Sequence, residues 1–511
     1  MPTTPRPAPD ALPAAPPREP VGERGLEAGA REDLTEAQRR AVAELPRVSP
    51  VADDLAARFA AAGHSLALVG GSVRDALLGR LGQDLDFTTD ARPDQVLALV
   101  APWADVHWET GIAFGTVAAR KAGYTVEVTT YRDEAYQRDS RKPAVTFGDT
   151  LEGDLVRRDF TVNAMAVALP RREFVDPHGG LRDLAARVLR TPGTPEESFS
   201  DDPLRMLRAA RFSAQLGFDV AADVVAAMTA MADRITIVSA ERVRDELVKL
   251  LLSPDPVRGL RLIVDTGLAD HVLPELPKLK LEIDEHHRHK DVYEHTLTVL
   301  EQAIALEPAL PEGGPDLTLR LAALLHDVGK PRTRRFQPGG GVSFHNHEVV
   351  GARITEARLR ELRFPKDLVA DVARLVELHL RFHGYGTGEW TDSAVRRYVR
   401  DAGDLLPRLH ALTRSDCTTR NRRRAAALSA AYDHLEERIA RLAEEEELAS
   451  LRPALDGNQI MTLLGLRPGP VVGRAYQHLM ELRMDRGPMS AEEAEAALRA
   501  WWAQQPEAAE G

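Results

Sequence analysis

Cysteine occurs once in 511 residues, at Cys417, so no disulfide can form within the chain and a reducing compartment is the expected setting. Nowhere does an apolar run approach the length of a membrane span, which excludes a membrane partner of that kind. The stretch from Met1 to Pro20 is rich in proline and has no apolar core of the sort a secretory leader needs. A cytoplasmic protein is the expectation. An excess of positive charge is missing too: 66 Lys and Arg against 78 Asp and Glu give a formal net charge of −12. That sum does not exclude nucleic acid, because phosphate contacts depend on local basic stripes. Stripes of this kind occur at Arg141 and Lys142 and at Arg420, Arg422, Arg423 and Arg424, although each taken alone reads as a solvated face.

What is present is an ordinary globular composition, 43% apolar and 28% charged, in a chain long enough for several folded units. Residues 1–47 read as a disordered tail of Pro, Ala and charge. A small α/β head is expected over 48–193. A helix from Val51 to Ala62 leads into the buried strand Leu66 to Val69, the turn Gly70-Gly71-Ser72 and a second helix, Val73 to Leu78. Further strands fall at Asp84 to Thr88, Gly115 to Arg120, Tyr124 to Thr130 and Ala164 to Leu169, with a helix starting near Pro93. Beyond Thr194 the strand signals stop, and a long all-α body follows. It divides into a helical neck (194–284), a histidine-bearing helical region (285–430) and a C-terminal helical tail (431–511). In the neck, Asp201 to Leu216, Val220 to Met231, Ala240 to Leu252 and Pro256 to Asp265 all read as helices.

The head carries the first chemical constellation. Glycines in the strand-to-helix turn Gly70-Gly71-Ser72 let backbone approach a ligand, and N–H groups at a helix start attract anions. Arg74 adds a charge-assisted donor for phosphate. Asp84 and Asp86, two apart in a strand, project from the same face while Leu85 and Phe87 turn inward. Like charges side by side call for a cation, and paired carboxylates with phosphate oxygens suit Mg²⁺. Glu127, among β-branched residues, is a candidate third carboxylate; the alternative is a solvent-facing strand position. Arg157, Arg158, Asp159 and Asn163 form a set able to serve a triphosphate and ribose hydroxyls, or an ion-paired turn.

Taken in order, LVGGSVRDALLG, DLD, GIAFGTV, VEVTTYR, RRDFTVNAM and DDPLRMLRAARF resemble the class II tRNA nucleotidyltransferases of the polymerase-β-like superfamily, over roughly residues 50 to 270. The resemblance implies that Asp84 and Asp86 bind catalytic Mg²⁺. It further implies that Gly71 and Arg74 contact the triphosphate and that Arg158 and Asp159 recognise phosphate and ribose. The family's Glu-Asp-x-x-Arg base-choosing element corresponds to Asp201-Asp202-Pro203-Leu204-Arg205, with aspartate in place of the glutamate. Asp202 and Arg205, read as i and i+3 of one helix, would present an acceptor beside a donor. Cytosine and adenine each offer an amine beside a ring nitrogen on the pairing edge; guanine and uracil put a carbonyl where the amine would be. One protein surface can thus accept CTP and ATP without a template. Arg208 resembles a second nucleotide-contacting arginine, and Arg132 to Thr150 resembles the family's flexible loop. The implied mechanism is two-metal attack of the tRNA 3′-hydroxyl on the α-phosphate, with pyrophosphate leaving.

The second constellation is His295, then His326-Asp327 at the end of an apolar helix, then His347, His379 and Asp416. This pattern is similar to HD-superfamily phosphohydrolases, and it implies a divalent transition metal (Mn, Fe, Co or Ni) able to activate water for phosphoester cleavage. His295, His326, Asp327 and Asp416 match the family pattern, while His347 and His379 would complete a second metal position. Some bacterial tRNA nucleotidyltransferases carry such a domain in this place. The rival readings are a bacterial poly(A) polymerase, an HD phosphohydrolase with a nucleotide-binding head, and a non-catalytic RNA-binding protein. The stretch Thr110 to Val117 and the acidic end, Glu507 to Gly511, favour CCA addition over poly(A) synthesis.

Overall fold

Leu66–Val69 forms strand β1, and all four of its side chains are buried because helices or strands cover both of its faces. Alternation governs the neighbouring strand β2 (Asp84–Thr89), where Leu85 and Phe87 are buried and Asp84 is exposed. The computed structural model describes residues 50–80, 82–132, 147–280, 291–337, 342–385, 390–418, 421–446 and 453–505. The expected tail over 1–47 and most of the Arg132–Thr150 loop lie outside these residues, as do Arg141, Lys142, Arg420 and Glu507 to Gly511.

The chain divides into two compact units, residues 1–201 with 218–224, and residues 202–217 with 225–511. In the first, helix α1 (50–61) precedes β1, and α2 (Gly71–Leu77) leads from β1 to β2. Next come α3 (Pro93–Val100), β3 (Val106–Trp108), β4 (Thr116–Lys121), β5 (Tyr124–Thr130), α4 (Leu151–Val156), β6 (Ala166–Leu169) and β7 (Glu173–Val175). Helix α5 (Gly180–Ala186), β8 (Val188–Leu189) and α6 (Pro195–Asp201) follow. A seven-stranded sheet runs in the order β3-β4-β5-β2-β1-β6-β7, with β2 and β5 parallel and the other pairings antiparallel. Helix α3, opened by Pro93 at its first position, packs on β4 and β5. Leu85, Phe87, Val117, Ala119, Val126 and Val128 are buried, leaving the alternate residues for the opposite face.

The second unit is helical. It opens with helix α7 (Leu204–Leu216); β9 (Asp219–Val220) and the start of α8 (Ala222–Ala230) belong to the first unit, and the rest of α8 leads on to α9 (Ala240–Leu251), α10 (Pro256–Asp265) and α11 (Ala269–Val272). Side-chain oxygens of Ser239 and Asp255 cap α9 and α10, and both helices pack on α7. Helices α12 (Val292–Leu306), α13 (Leu317–Leu325) and α14 (Lys330–Thr333), the ribbon β10 (Arg335–Phe336) and β11 (Val342–Ser343), then α15 (His347–Glu361) and α16 (Lys366–Leu378) build the histidine-bearing region. Helices α17 (Asp392–Ala402), α18 (Leu406–Asp416) and α19 (Arg422–Glu446) complete it. Last come α20 (Gly457–Leu464), α21 (Pro470–Arg486) and α22 (Ala491–Trp502), around a core of Leu455, Ile460, Ala475, Leu479, Ala494 and Leu498. Trp501 packs against that core.

Three expectations need correction. Strand pairing does not stop at Thr194: β9 pairs with β8 in parallel, and β10 with β11. These two-residue strands are too short to leave an alternation to detect. Second, edge strands β3 and β7 join the sheet although three residues carry too little pattern to announce them. Third, the helix expected from Asp201 to Leu216 starts at Leu204; Asp201 ends the preceding helix α6, and Asp202-Pro203 separates the two. Proline lacks an amide donor and disfavours helical geometry in the residue before it.

Candidate functional site

Asp84 and Asp86 stand on one face of β2, and the parallel register of β2 with β5 sets Asp86 directly beside Glu127. Ser72, in the first turn of α2, ties this strand to the glycine turn: its Oγ accepts from the Asp86 amide (2.9 Å) and donates to the Asp84 carbonyl (3.3 Å). Gly70 sits at φ 69°, ψ −134°, a backbone conformation that L side chains rarely adopt. A Cβ there would lie 2.9 Å from Arg158 Nη1, so the missing side chain lets the guanidinium reach the turn. At Gly71 a Cβ would make only ordinary contact, 3.5 Å from Arg74 Nη2 and 3.9 Å from Asp86 Oδ2.

Arg158 donates through Nη2 to Asp154 Oδ2 (3.0 Å), four residues earlier and on the helix before it. Its Nε is buried without a hydrogen-bond partner among the described residues. Arg74 is almost wholly buried; it donates to Asn163 Oδ1 (2.6 Å) and to both oxygens of Asp75 (3.0 Å each). Asn163 in turn donates to Asp159 Oδ1 (2.9 Å). Arg74, Asn163 and Asp159 therefore form one chain of hydrogen bonds beneath the turn. Asp154 and Thr88, which donates to Asp154 at 3.3 Å, escaped the sequence reading; the i, i+4 spacing of Asp154 and Arg158 was the available signal.

The electrostatics of this face call for a cation. Burial pushes the Asp86 carboxyl up to about 6, Glu127 and Asp84 add to the rise, and Arg158 and Arg74 oppose it. Asp84 and Glu127 are exposed. These carboxylates do not close into a three-ligand cage; among the described residues the only clusters that tight are in the second unit. An open set of carboxylates, with ligand positions left for phosphate oxygens and water, fits Mg²⁺.

Asp202 and Arg205 are not i and i+3 of one helix, because Asp202 precedes α7. Its Oδ1 accepts from the Leu204 amide (3.1 Å), and its Oδ2 pairs with Arg242 of α9 at 2.7 Å. Arg242, forty residues away, was not singled out in the sequence. Arg205 and Arg208 lie on α7, and the Arg208 guanidinium stacks over Phe212. These three residues belong to the second unit, and the carboxylates of β2 to the first.

The histidines converge. His295 (α12), His326 (end of α13) and Asp416 (end of α18) bring one ligand atom each within 4.8 Å of one another, and so do Asp327, His347 and His379. His295 Nε2 lies 2.9 Å from Asp416 Oδ1, and Asp327 sits 3.3 Å from both His326 and His347. The Nδ1 atoms of His326, His347 and His379 face the carbonyls of Ala323, Phe344 and Val376 at 2.8, 2.8 and 2.6 Å. A carbonyl can only accept, so each Nδ1 carries a proton and Nε2 is the ring nitrogen left to face the cluster. The Nε2 atoms of His347 and His379 are buried without a hydrogen-bond partner among the described residues, as expected of metal ligands.

Charge agrees with geometry at this cluster. Burial pulls His326 down, but Asp327 and Asp416 outweigh it and hold its pKa above the ordinary value. Burial would raise Asp327, yet His326 and Lys330 (2.8 Å away) hold it well below the carboxylate range. His379 is pushed down to about 3, by burial first and by His326 next. The carboxylates that favour a proton here favour any cation. Gly329 makes the loop possible: a Cβ would meet the His347 carbonyl at 2.1 Å.

Known protein families match the regions that hold the two clusters. The family model for the poly A polymerase head domain matches residues 66–190, and one for a probable RNA- and SrmB-binding site of polymerase A matches 217–279. The HD domain model matches 292–447. An A-adding tRNA nucleotidyltransferase of Deinococcus radiodurans is 38% identical over 447 residues, 86% of this chain and 96% of that protein. A CC-adding tRNA nucleotidyltransferase of Thermus thermophilus is 34% identical over 85% of this chain and 93% of its own length. A CCA-adding enzyme of Anoxybacillus flavithermus is 41% identical, but over 43% of this chain and 54% of that protein. Among solved structures, the CCA-adding enzyme of Bacillus stearothermophilus in complex with CTP superposes with a TM-score of 0.61 at 25% identity, over 89% of this chain and 97% of that one. The CCA-adding enzyme of Thermotoga maritima complexed with tRNA shares the fold, with a TM-score of 0.55 at 17% identity over 92% and 98% of the two chains. With relatives this similar over nearly their whole length, the chain belongs to the tRNA nucleotidyltransferases, in the form that joins a polymerase-type head to an HD domain.

Proposed function

We propose that this protein extends or repairs the 3′-terminal CCA of tRNA, using CTP and ATP without a nucleic-acid template and releasing pyrophosphate. The observation that carries the reading is the Asp86–Glu127 pair on adjoining strands, beside a glycine turn and Arg158. Its full-length relatives act on tRNA by name, one adding A and one CC, so the number of nucleotides added is for experiment to decide.

Asp84 and Asp86, with Glu127 as third carboxylate, would hold Mg²⁺, which when bound assists ionisation of the attacking hydroxyl and neutralises charge on the phosphates. Ser72 keeps the β2 backbone, and with it both carboxylates, at a constant offset from the Gly70-Gly71 turn. The buried Nε of Arg158 is a donor suited to a triphosphate oxygen. Arg74 and Asn163 act mainly by positioning, since their hydrogen bonds brace Asp159, the residue assigned to ribose. Base choice falls to Asp202 and Arg205, with Arg208 nearby on α7; the ion pair with Arg242 holds the Asp202 side chain in place.

The HD cluster would hold a divalent transition metal such as Mn, Fe, Co or Ni, which when bound can activate water for phosphoester hydrolysis. His295, His326, Asp327, His347, His379 and Asp416 are the ligands assigned. Among the described residues no helix is long and apolar enough to cross a membrane, and a cytoplasmic site of action is the natural one for this substrate.

The test is incorporation from labelled CTP, ATP, GTP or UTP, singly and together, into tRNA ending at the discriminator base, at CC and at CCA. Growth by C, C and A that then stops, or by CC or A alone, and that vanishes in Asp86→Asn, is expected. A long A-only ladder would make the protein a poly(A) polymerase, and no incorporation would defeat the proposal.

A further inference from the structure

The face of the sheet that carries Asp86 continues past Glu127. Register places Asp86 beside Glu127, Glu127 beside Ala118, and Ala118 beside Trp108, so side chains from four neighbouring strands stand in one row on one face. The next row runs Asp84, Thr125, Arg120, Val106. Three strand spacings put Trp108 about 14 Å from Asp86. Trp108 is 41% and Val106 51% exposed, and Arg120 is exposed beside them. A single exposed apolar residue needs no explanation. A tryptophan aligned with the reacting carboxylates, across nothing larger than an alanine, is a different matter.

Direction makes the alignment informative. Gly70, Gly71 and Arg158 lie on the β1 and α2 side of Asp86, so a triphosphate held by them lies on that side. In phosphoryl transfer the attacking and leaving oxygens are roughly in line across phosphorus. A hydroxyl that attacks opposite the departing pyrophosphate must therefore arrive over β5, β4 and β3. An aromatic ring with a guanidinium next to it is the combination that holds single-stranded nucleic acid, the ring stacking a base and the cation meeting a phosphate.

We propose that Trp108, assisted by Arg120, is the stacking platform that binds the last bases of the RNA acceptor end on the row leading to the β2 carboxylates. The inference rests on the nucleotidyl-transfer reading. The occupant is single-stranded RNA rather than a protein strand, because the row leads into the carboxylates and β3 offers an edge of only three residues.

Steady-state incorporation separates the alternatives. Trp108→Ala is expected to raise KM for tRNA roughly tenfold, the order for losing one stacked base, with KM for CTP or ATP and kcat at saturating tRNA unchanged. Trp108→Phe is expected to restore most of the affinity, and Arg120→Ala to give a smaller loss that shrinks at high salt. A tRNA carrying 2-aminopurine as its 3′-terminal or penultimate base supplies a direct readout: quenching on binding to the wild-type protein, lost in Trp108→Ala. If Trp108→Ala melts early, Trp108→Gln takes its place in both assays. Unchanged KM for tRNA with quenching retained, or a fall in kcat alone, overturns the platform while leaving transferase activity standing. A wild-type protein that incorporates nothing fails at the earlier step instead.

Discussion

Ser72 shows how much one hydroxyl does at this site. Its Oγ serves the Asp86 amide and the Asp84 carbonyl together, so removing it leaves a partly buried donor and acceptor without their partner. Ser72→Ala is expected to cost about 1–2 kcal/mol of stability. It should slow incorporation about tenfold in kcat with little change in KM for CTP, since it positions carboxylates rather than holding the nucleotide. Denaturant midpoints and steady-state kinetics check the two halves. His410 offers a pH test. Its ring is stacked on Tyr398 and its Nδ1 is 3.2 Å from Glu436, and burial holds its pKa below the ordinary 6.5 against the pull of Glu436. A base with a depressed folded pKa leaves the unfolded chain binding more protons as pH falls through 6.5. Its contribution is thus complete above that value and lost below it. His410→Gln should flatten the decline in melting temperature between about pH 7 and 5, and an equal decline in both proteins would refute the assignment. The carboxylates of β2 were legible in the sequence because a period of two needs no partner to be seen. The Asp202–Arg242 pair was not, since it joins residues forty apart through the packing of α7 on α9.

At the scale of elements, the junction of α9 with α13 is held by a buried ion pair. Arg320 donates to both oxygens of Glu307 (2.6 and 2.7 Å) and to the carbonyls of Leu251 and Ser253, at the end of α9 (2.6 and 2.9 Å). Glu307 also accepts from the Asp316 amide at 2.9 Å, next to the cap of α13. Arg320→Ala would strand a buried carboxylate and two carbonyls, an expected loss of about 3–5 kcal/mol measurable by chemical denaturation. A loss under about 1 kcal/mol would mean that water reaches the junction. Helices with strong caps and regular apolar spacing were legible, and Pro256–Asp265 was placed to the residue. The break at Asp202-Pro203 was predictable from proline chemistry but overridden by the periodicity around it. Short strands such as β9 are created by a neighbour's free edge, which a local pattern does not contain.

At the scale of the whole molecule, the carboxylates of β2 lie in the first unit and the His-Asp cluster in the second, and what each does should be separable. Asp327 touches His326, His347 and Lys330, and Asp327→Ala removes the one carboxylate central to the cluster. Metal content by elemental analysis should fall, and the rise in melting temperature on adding Mn²⁺, a linkage effect of about 2.7 kcal/mol at a hundredfold excess over Kd, should vanish. Incorporation into tRNA should persist, because none of the residues assigned to nucleotide transfer is altered. Loss of metal binding and incorporation together would refute that separation. By itself the sequence determined the succession of an α/β head and an all-α body, the paired carboxylates, the glycine turn and the His-Asp signature, because these are written in short-range spacing and residue type. Only the tertiary structure decided that six His and Asp side chains from separate helices and loops gather into two groups, that Asp202 answers to Arg242, and that Trp108 stands in line with Asp86. Each of those depends on which strands and helices become neighbours, and that is settled by burial of the whole chain rather than by any segment of it.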